Sequence, residues 1–174
     1  MDDAAATVTR VLGVQAAAAS AAIHLIEGVP DLAVYLPILS VRDPRPYLFV
    51  PSALLLLGVA AAVLYGARDR RLYSLGAGVM GTYLVGYVWW HLTDHGGLVP
   101  AHDVANPVAE IAAHLVADPP ALVAFGTELL GVVAFLLLFV ADPETGARGR
   151  DAAAAPDEPA DPSETGDPSA DGDA

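Results

Sequence analysis

Residues 121–141 read ALVAFGTELLGVVAFLLLFVA, twenty-one positions with a single charged side chain, Glu128. A helix rises 1.5 Å per residue, so about 20 apolar residues cross the hydrocarbon core of a bilayer, which is about 30 Å thick. In that medium every backbone polar group must be satisfied within the segment, and this stretch is therefore read as a transmembrane helix. Its run Phe135-Leu136-Leu137-Leu138-Phe139-Val140 is the most apolar in the chain.

Working outward, three further segments have comparable length: an alanine-rich one from Val8 to Ile26, then Tyr47–Ala67 and Leu72–Leu92. Only the turn Arg68-Asp69-Arg70-Arg71 separates the last two, and so short a link makes them an antiparallel hairpin. The sequence thus predicts an all-α fold, a transmembrane four-helix bundle with helices at about 8–26, 47–67, 72–92 and 121–141. Asn106-Pro107 has the form of a helix start, with an Asn cap and Pro at the first position. A short helix from there to about Val116, apolar at Val108, Ile111, Ala112 and Leu115, is expected to lie on the membrane interface.

The chain has 174 residues and a net charge of −13, from 21 acidic and 8 basic residues, yet 55% of it is hydrophobic. The contradiction is one of location. Residues 143–174 hold nine acids and two arginines with no apolar periodicity, and read as a disordered acidic tail. Residues 1–142 form the transmembrane domain. Such acidity excludes a nucleic-acid partner, which requires a basic footprint. With no cysteine, disulfides and thiolate metal sites are excluded as well. The acidic start (Asp2, Asp3) and the alanine-rich stretch after it are unlike a cleaved secretory signal.

All eight basic residues are arginines, and their distribution sets the orientation. With both termini cytoplasmic, Arg10, Arg68, Arg70, Arg71, Arg148 and Arg150 lie inside and Arg42 and Arg45 outside. Trp89 and Trp90 then fall at the outer interface, where aromatic rings are favoured. The expected setting is the cell membrane, with the lipid bilayer as first partner and a homo-oligomer or a larger membrane complex as the second.

Helices in lipid pack through small residues. Gly13, Ala17 and Ser20 share a face of the first helix, which His24 continues. Ser74, Gly78, Thr82 and Gly86 form an i+4 stripe on the third, and Ala121, Ala124 and Gly131 flank Glu128 on the fourth. These stripes are the expected packing surfaces.

Five histidines, His24, His91, His95, His102 and His114, all fall on the outer side in this orientation. His91 and His95 are spaced i,i+4, His24 and Glu27 i,i+3, and Glu110 and His114 i,i+4; such spacings place side chains on one helical face. Imidazole with carboxylate suits a transition metal ion. His24, Glu27, His91, His95 and Glu128 are the candidate ligands, with Asp94, Glu110 and His114 as secondary ones. A b-type haem held by His24 and His91 is the alternative, and the structural reading is imidazoles bonded to one another or to nearby carboxylates. A carboxylate such as Glu128 within a membrane helix normally faces the bundle interior and marks a site; its structural partners would be Ser20, Thr127 or a tyrosine. No phosphate-binding glycine loop, G-x-S-x-G or HExxH motif is present, which disfavours a hydrolase of ordinary type.

Absence of lysine, fifteen aspartates against six glutamates, the stretch Ala21-Ala22-Ile23-His24-Leu25-Ile26-Glu27-Gly28 and the arginine turn together resemble small four-helix membrane proteins of haloarchaea. The resemblance covers about residues 8–141 and implies a multi-pass membrane protein, without implying an activity. The sequence therefore points to a non-enzymatic membrane binder or subunit with an extracytoplasmic metal or haem site. The alternatives are a proton- or ion-coupled transport element using Glu128, and a scaffolding subunit of a larger complex.

Overall fold

The computed structural model describes residues 1–40, 43–93 and 106–142. Among them there are five α-helices and no strand: α1 (Asp3–Tyr35), α2 (Arg45–Leu64), α3 (Arg70–Leu92), α4 (Pro107–Ala117) and α5 (Pro119–Ala141), with a short 3-10 turn, Leu36–Ile38, after α1. Three segments are long and apolar enough to cross a membrane: Asp3–Ile38, Arg45–Leu64 and Pro119–Ala141. The expected third span, α3, has the length. Its apolarity is diluted by glycines, three tyrosines and the arginines at its start.

The first helix departs most from expectation. Its apolar run stops at Ile26, but the helix continues through Glu27, Pro30 and Asp31 to Tyr35 and ends where Leu39 takes a left-handed φ of 49°. Glu27 and Asp31 are exposed and interrupt hydropathy without opposing helix, while Pro30 forfeits one backbone bond. Packing holds the extension: Gly28 is buried so close to α2 that a Cβ would stand 3.2 Å from side-chain atoms of Phe49 and Val50. The 33 residues of α1 extend about 50 Å, well beyond the hydrocarbon core.

Capping fixes the other boundaries. Asp2 accepts from the Ala5 amide at 2.7 Å, and Asn106 from that of Ala109 at 3.1 Å. Asp118 closes α4 and caps α5, accepting from the Ala121 amide at 3.2 Å. Arg68 donates through Nη1 to the carbonyls of Val63 and Ala67, satisfying acceptors left open at the end of α2.

α1, α2, α3 and α5 alternate in direction. α1 lies between α2 and α5, and α3 packs on the other side of α5; α2 and α3, although joined by only residues 65–69, meet along a short seam. On α5 the buried positions are Ala124, Glu128, Gly131, Ala134, Phe135 and Leu138, an i+3/i+4 series facing α1 and α3. Gly13 and Gly76 receive the Phe135 ring from opposite sides: a Cβ on Gly76 would fall 2.8 Å from the ring, and one on Gly13 3.4 Å away. Gly13, Ala17 and Ser20 are buried on α1.

The packing face of α3 is not the expected one. Tyr73, Gly76, Ala77, Met80 and Tyr83 are buried, while Ser74, Gly78, Thr82 and Gly86 are exposed. Larger side chains on α3 insert against the small residues of α1 and α5, so the small stripe of α3 is turned away from the core.

The end of the bundle nearest the N-terminus is closed by a buried ionic clamp. Arg10 donates through Nη2 to Asp142 Oδ1 (2.8 Å) and through Nε to Oδ2 (3.3 Å), and the Tyr73 hydroxyl donates to Oδ2 (2.7 Å). Breaking one side of such a pair leaves an uncompensated charge, so Asp142→Leu is expected to cost about 3–5 kcal/mol. Adding Arg10→Met should recover most of that loss; thermal unfolding of the reconstituted variants measures both. The same assay checks the Phe135 socket. Gly76→Ala should destabilise by about 1–3 kcal/mol through overpacking, whereas Gly78→Ala, with nothing within 4 Å of the new Cβ, should not.

Candidate functional site

Ser20, His24 and Glu128 are brought together at the opposite end of the bundle from the clamp. His24 on α1 is 7% exposed and Glu128 on α5 is 2% exposed. His24 Nε2 lies 2.8 Å from Glu128 Oε1, and Ser20 Oγ donates to the same oxygen at 3.3 Å. Of the other partners expected for Glu128, Thr127 bonds the Ala124 carbonyl instead, and Tyr83 bonds Ser52.

The imidazole is held between rings. Its centroid is 3.8 Å from that of Tyr83 on α3 and 4.5 Å from that of Phe49 on α2. The Tyr83 hydroxyl lies 2.7 Å from Ser52 Oγ, which also bonds the Leu48 carbonyl. All four long helices thus contribute to the setting of one histidine. Nδ1 of that ring is buried and has no hydrogen-bond partner.

The His24–Glu128 pair forms part of the wall of a partly open cavity of about 650 Å³ between the helices. Its aromatic surfaces come from Tyr83, Tyr87, Trp89, Trp90 and Phe125, and its far side from His91 and His114. His91 rests on Tyr87 at 4.1 Å between centroids and meets the His114 ring at 4.8 Å. Its Nδ1 is 2.9 Å from the Tyr87 carbonyl. On α4, His114 Nδ1 lies 2.9 Å from the Glu110 carbonyl and 3.4 Å from Glu110 Oε1. At the rim Arg45 stacks over Trp90 at 4.5 Å and pairs with Asp43 at 2.6 Å. That hydrogen bond holds the Asp43 carboxyl below its ordinary range.

The expected ligand set is therefore divided. His24 and Glu128 form one pair, His91 and His114 another, and Glu27 stands at the cavity rim. Asp94 and His95 lie outside the described residues, as do His102 and the tail 143–174. Among the described residues no three of His, Asp and Glu converge as a metal site would require. No local pattern in the sequence marks Phe49, Tyr83 or Ser52 as part of a site. Tyr83 sits one position from the small-residue stripe, and only helix packing reveals which face it serves. Exposed Gln15 and the turned-out stripe Ser74–Gly78 take no part.

No family model, curated protein or solved structure matches the chain. The site's own geometry carries the functional argument.

Glu128 Oε1 is the shared acceptor for Ser20 and His24, and its removal strands two buried polar groups. Glu128→Leu should cost about 1–3 kcal/mol in unfolding measurements, and Glu128→Gln, which retains an acceptor oxygen, distinctly less. Equal losses would contradict the assignment of that oxygen.

Proposed function

We propose that the chain is a small multi-pass membrane protein that binds a small molecule in this cavity, on the extracytoplasmic side. In this reading α3 completes a four-helix membrane bundle with α1, α2 and α5, with Thr82, Tyr83, Gly86 and Tyr87 lining the cavity and exposed Ser74 and Gly78 available to lipid or a second copy. One observation carries the proposal: a volume of about 650 Å³, within the range of about 300–1,000 Å³ usual for ligand sites, has in its wall a buried histidine with an unused nitrogen. Apolar walls with few polar groups are the usual composition of such sites.

An organic occupant is favoured over a metal ion or haem. His24 Nε2 is committed to Glu128 at 2.8 Å, and neither histidine pair has a third ligand among the described residues. Stoichiometric metal or a Soret band in purified protein would reverse that preference. A second reading, transport coupled to a proton on Glu128, rests on the same buried pair and the usual role of intramembrane carboxylates. Unchanged flux in vesicles bearing Glu128→Gln would remove it.

Gly86 lines the cavity and has nothing within 4 Å of its Cβ position, so a phenylalanine there fills the space without displacing core atoms. In nanodiscs the wild type should show saturable energy transfer from Trp89 and Trp90 to the neutral probe N-phenyl-1-naphthylamine. Gly86→Phe should abolish the saturable component while leaving the unfolding temperature within about 5 °C. Identical transfer in both proteins would refute the binding role.

A further inference from the structure

Resting on that reading, we infer that the cavity selects lipophilic organic cations, with an ammonium head at the His24–Glu128 end and an apolar or aromatic body against the rings of α3 and α5. Three observations converge: the sign of the charge, the hydrogen-bonding polarity of the innermost group, and the nature of the walls.

Among the described residues, the carboxylates on the cavity are Glu27, Asp118 and Glu128, and the opposing guanidinium is Arg45. Arg45 is engaged twice, by Asp43 at 2.6 Å and by the face of Trp90 at 4.5 Å. The lining is therefore acidic in balance. Asp118 also caps α5, placing a negative charge on the helix end whose dipole would otherwise attract an anion.

At the inner end, Glu128 Oε1 receives two contacts, from Ser20 Oγ and His24 Nε2. In the tautomer in which Nε2 donates to Glu128, Nδ1 is a bare lone pair. That atom is buried without a partner. A buried acceptor is satisfied by a donor, and an ammonium N–H is a strong, charge-assisted one. An anion brings no donor to that lone pair.

The walls fit the same class. Tyr83, Tyr87 and Phe125 line the space, and cations within about 6 Å of an aromatic face are attracted by the ring quadrupole. The protein already uses this interaction at its rim, between Arg45 and Trp90.

The test uses three probes of one shape: 4-phenylbutylammonium, 4-phenylbutanol and 4-phenylbutyrate. Each is titrated into the full chain in zwitterionic nanodiscs, with empty nanodiscs as reference, following the emission of Trp89 and Trp90. The ammonium probe should bind at least about tenfold more tightly than the alcohol, and the carboxylate most weakly of the three. Glu128→Gln, if it retains the wild-type circular dichroism, should erase most of the preference; the wild-type comparison decides the matter without it. Equal binding of the three, or preference for the carboxylate, overturns cation selectivity and leaves the binding role standing. Loss of all saturable binding, with no difference between wild type and Gly86→Phe, overturns both.

Discussion

A carboxylate inside an apolar helix must find partners before the helix can settle, because an unpaired charge in a low-dielectric interior costs several kcal/mol. Glu128 finds His24 and Ser20, and that choice fixes α5 against α1. Asp142, at the other end of α5, finds Arg10. Fourteen residues separate Glu128 from Asp142 and fourteen separate Arg10 from His24. The two antiparallel helices are therefore joined at two polar points about 21 Å apart. A slip of one turn would break both contacts together, which defines the register more sharply than apolar packing alone.

Between those points the fit is between small and large. Gly13 of α1 and Gly76 of α3 admit the Phe135 ring, and Gly131 of α5 with Ala16 of α1 admits Met80, so the helices approach closely without a hydrophobic force to draw them together. The two ends then differ in purpose. At the clamp, charged groups satisfy one another and leave no space. At the His24 end, aromatic side chains border a volume that the chain does not fill, and one buried nitrogen has no partner.

The helical class and the two most apolar helices were legible because hydropathy reports a membrane span directly. The lower reach of α1 was not: Glu27, Pro30 and Asp31 end the apolar run, and contact with α2 keeps the helix going. The choice of face on α3 was also hidden. Small residues mark a surface that can pack, but tyrosine and methionine fill the available grooves, so Ser74 and Gly78 turn outward and Thr82 and Gly86 border the cavity. For the site, Ser20, His24 and Glu128 stood out by residue type, whereas their convergence joins positions 104 apart in sequence. The link from Arg10 to Asp142 spans 132 positions, and no local pattern encodes it.

The short seam between α2 and α3 makes their spacing depend on its two ends. Their covalent link, residues 65–69, lies at the clamped end. Beside the cavity the Ser52–Tyr83 hydrogen bond at 2.7 Å and the stacking of Arg45 over Trp90 at 4.5 Å join them again. Between those points each packs mainly on another neighbour, α2 on α1 and α3 on α5. The width of the cavity is thus set by a few polar and aromatic bridges rather than by a continuous apolar seam.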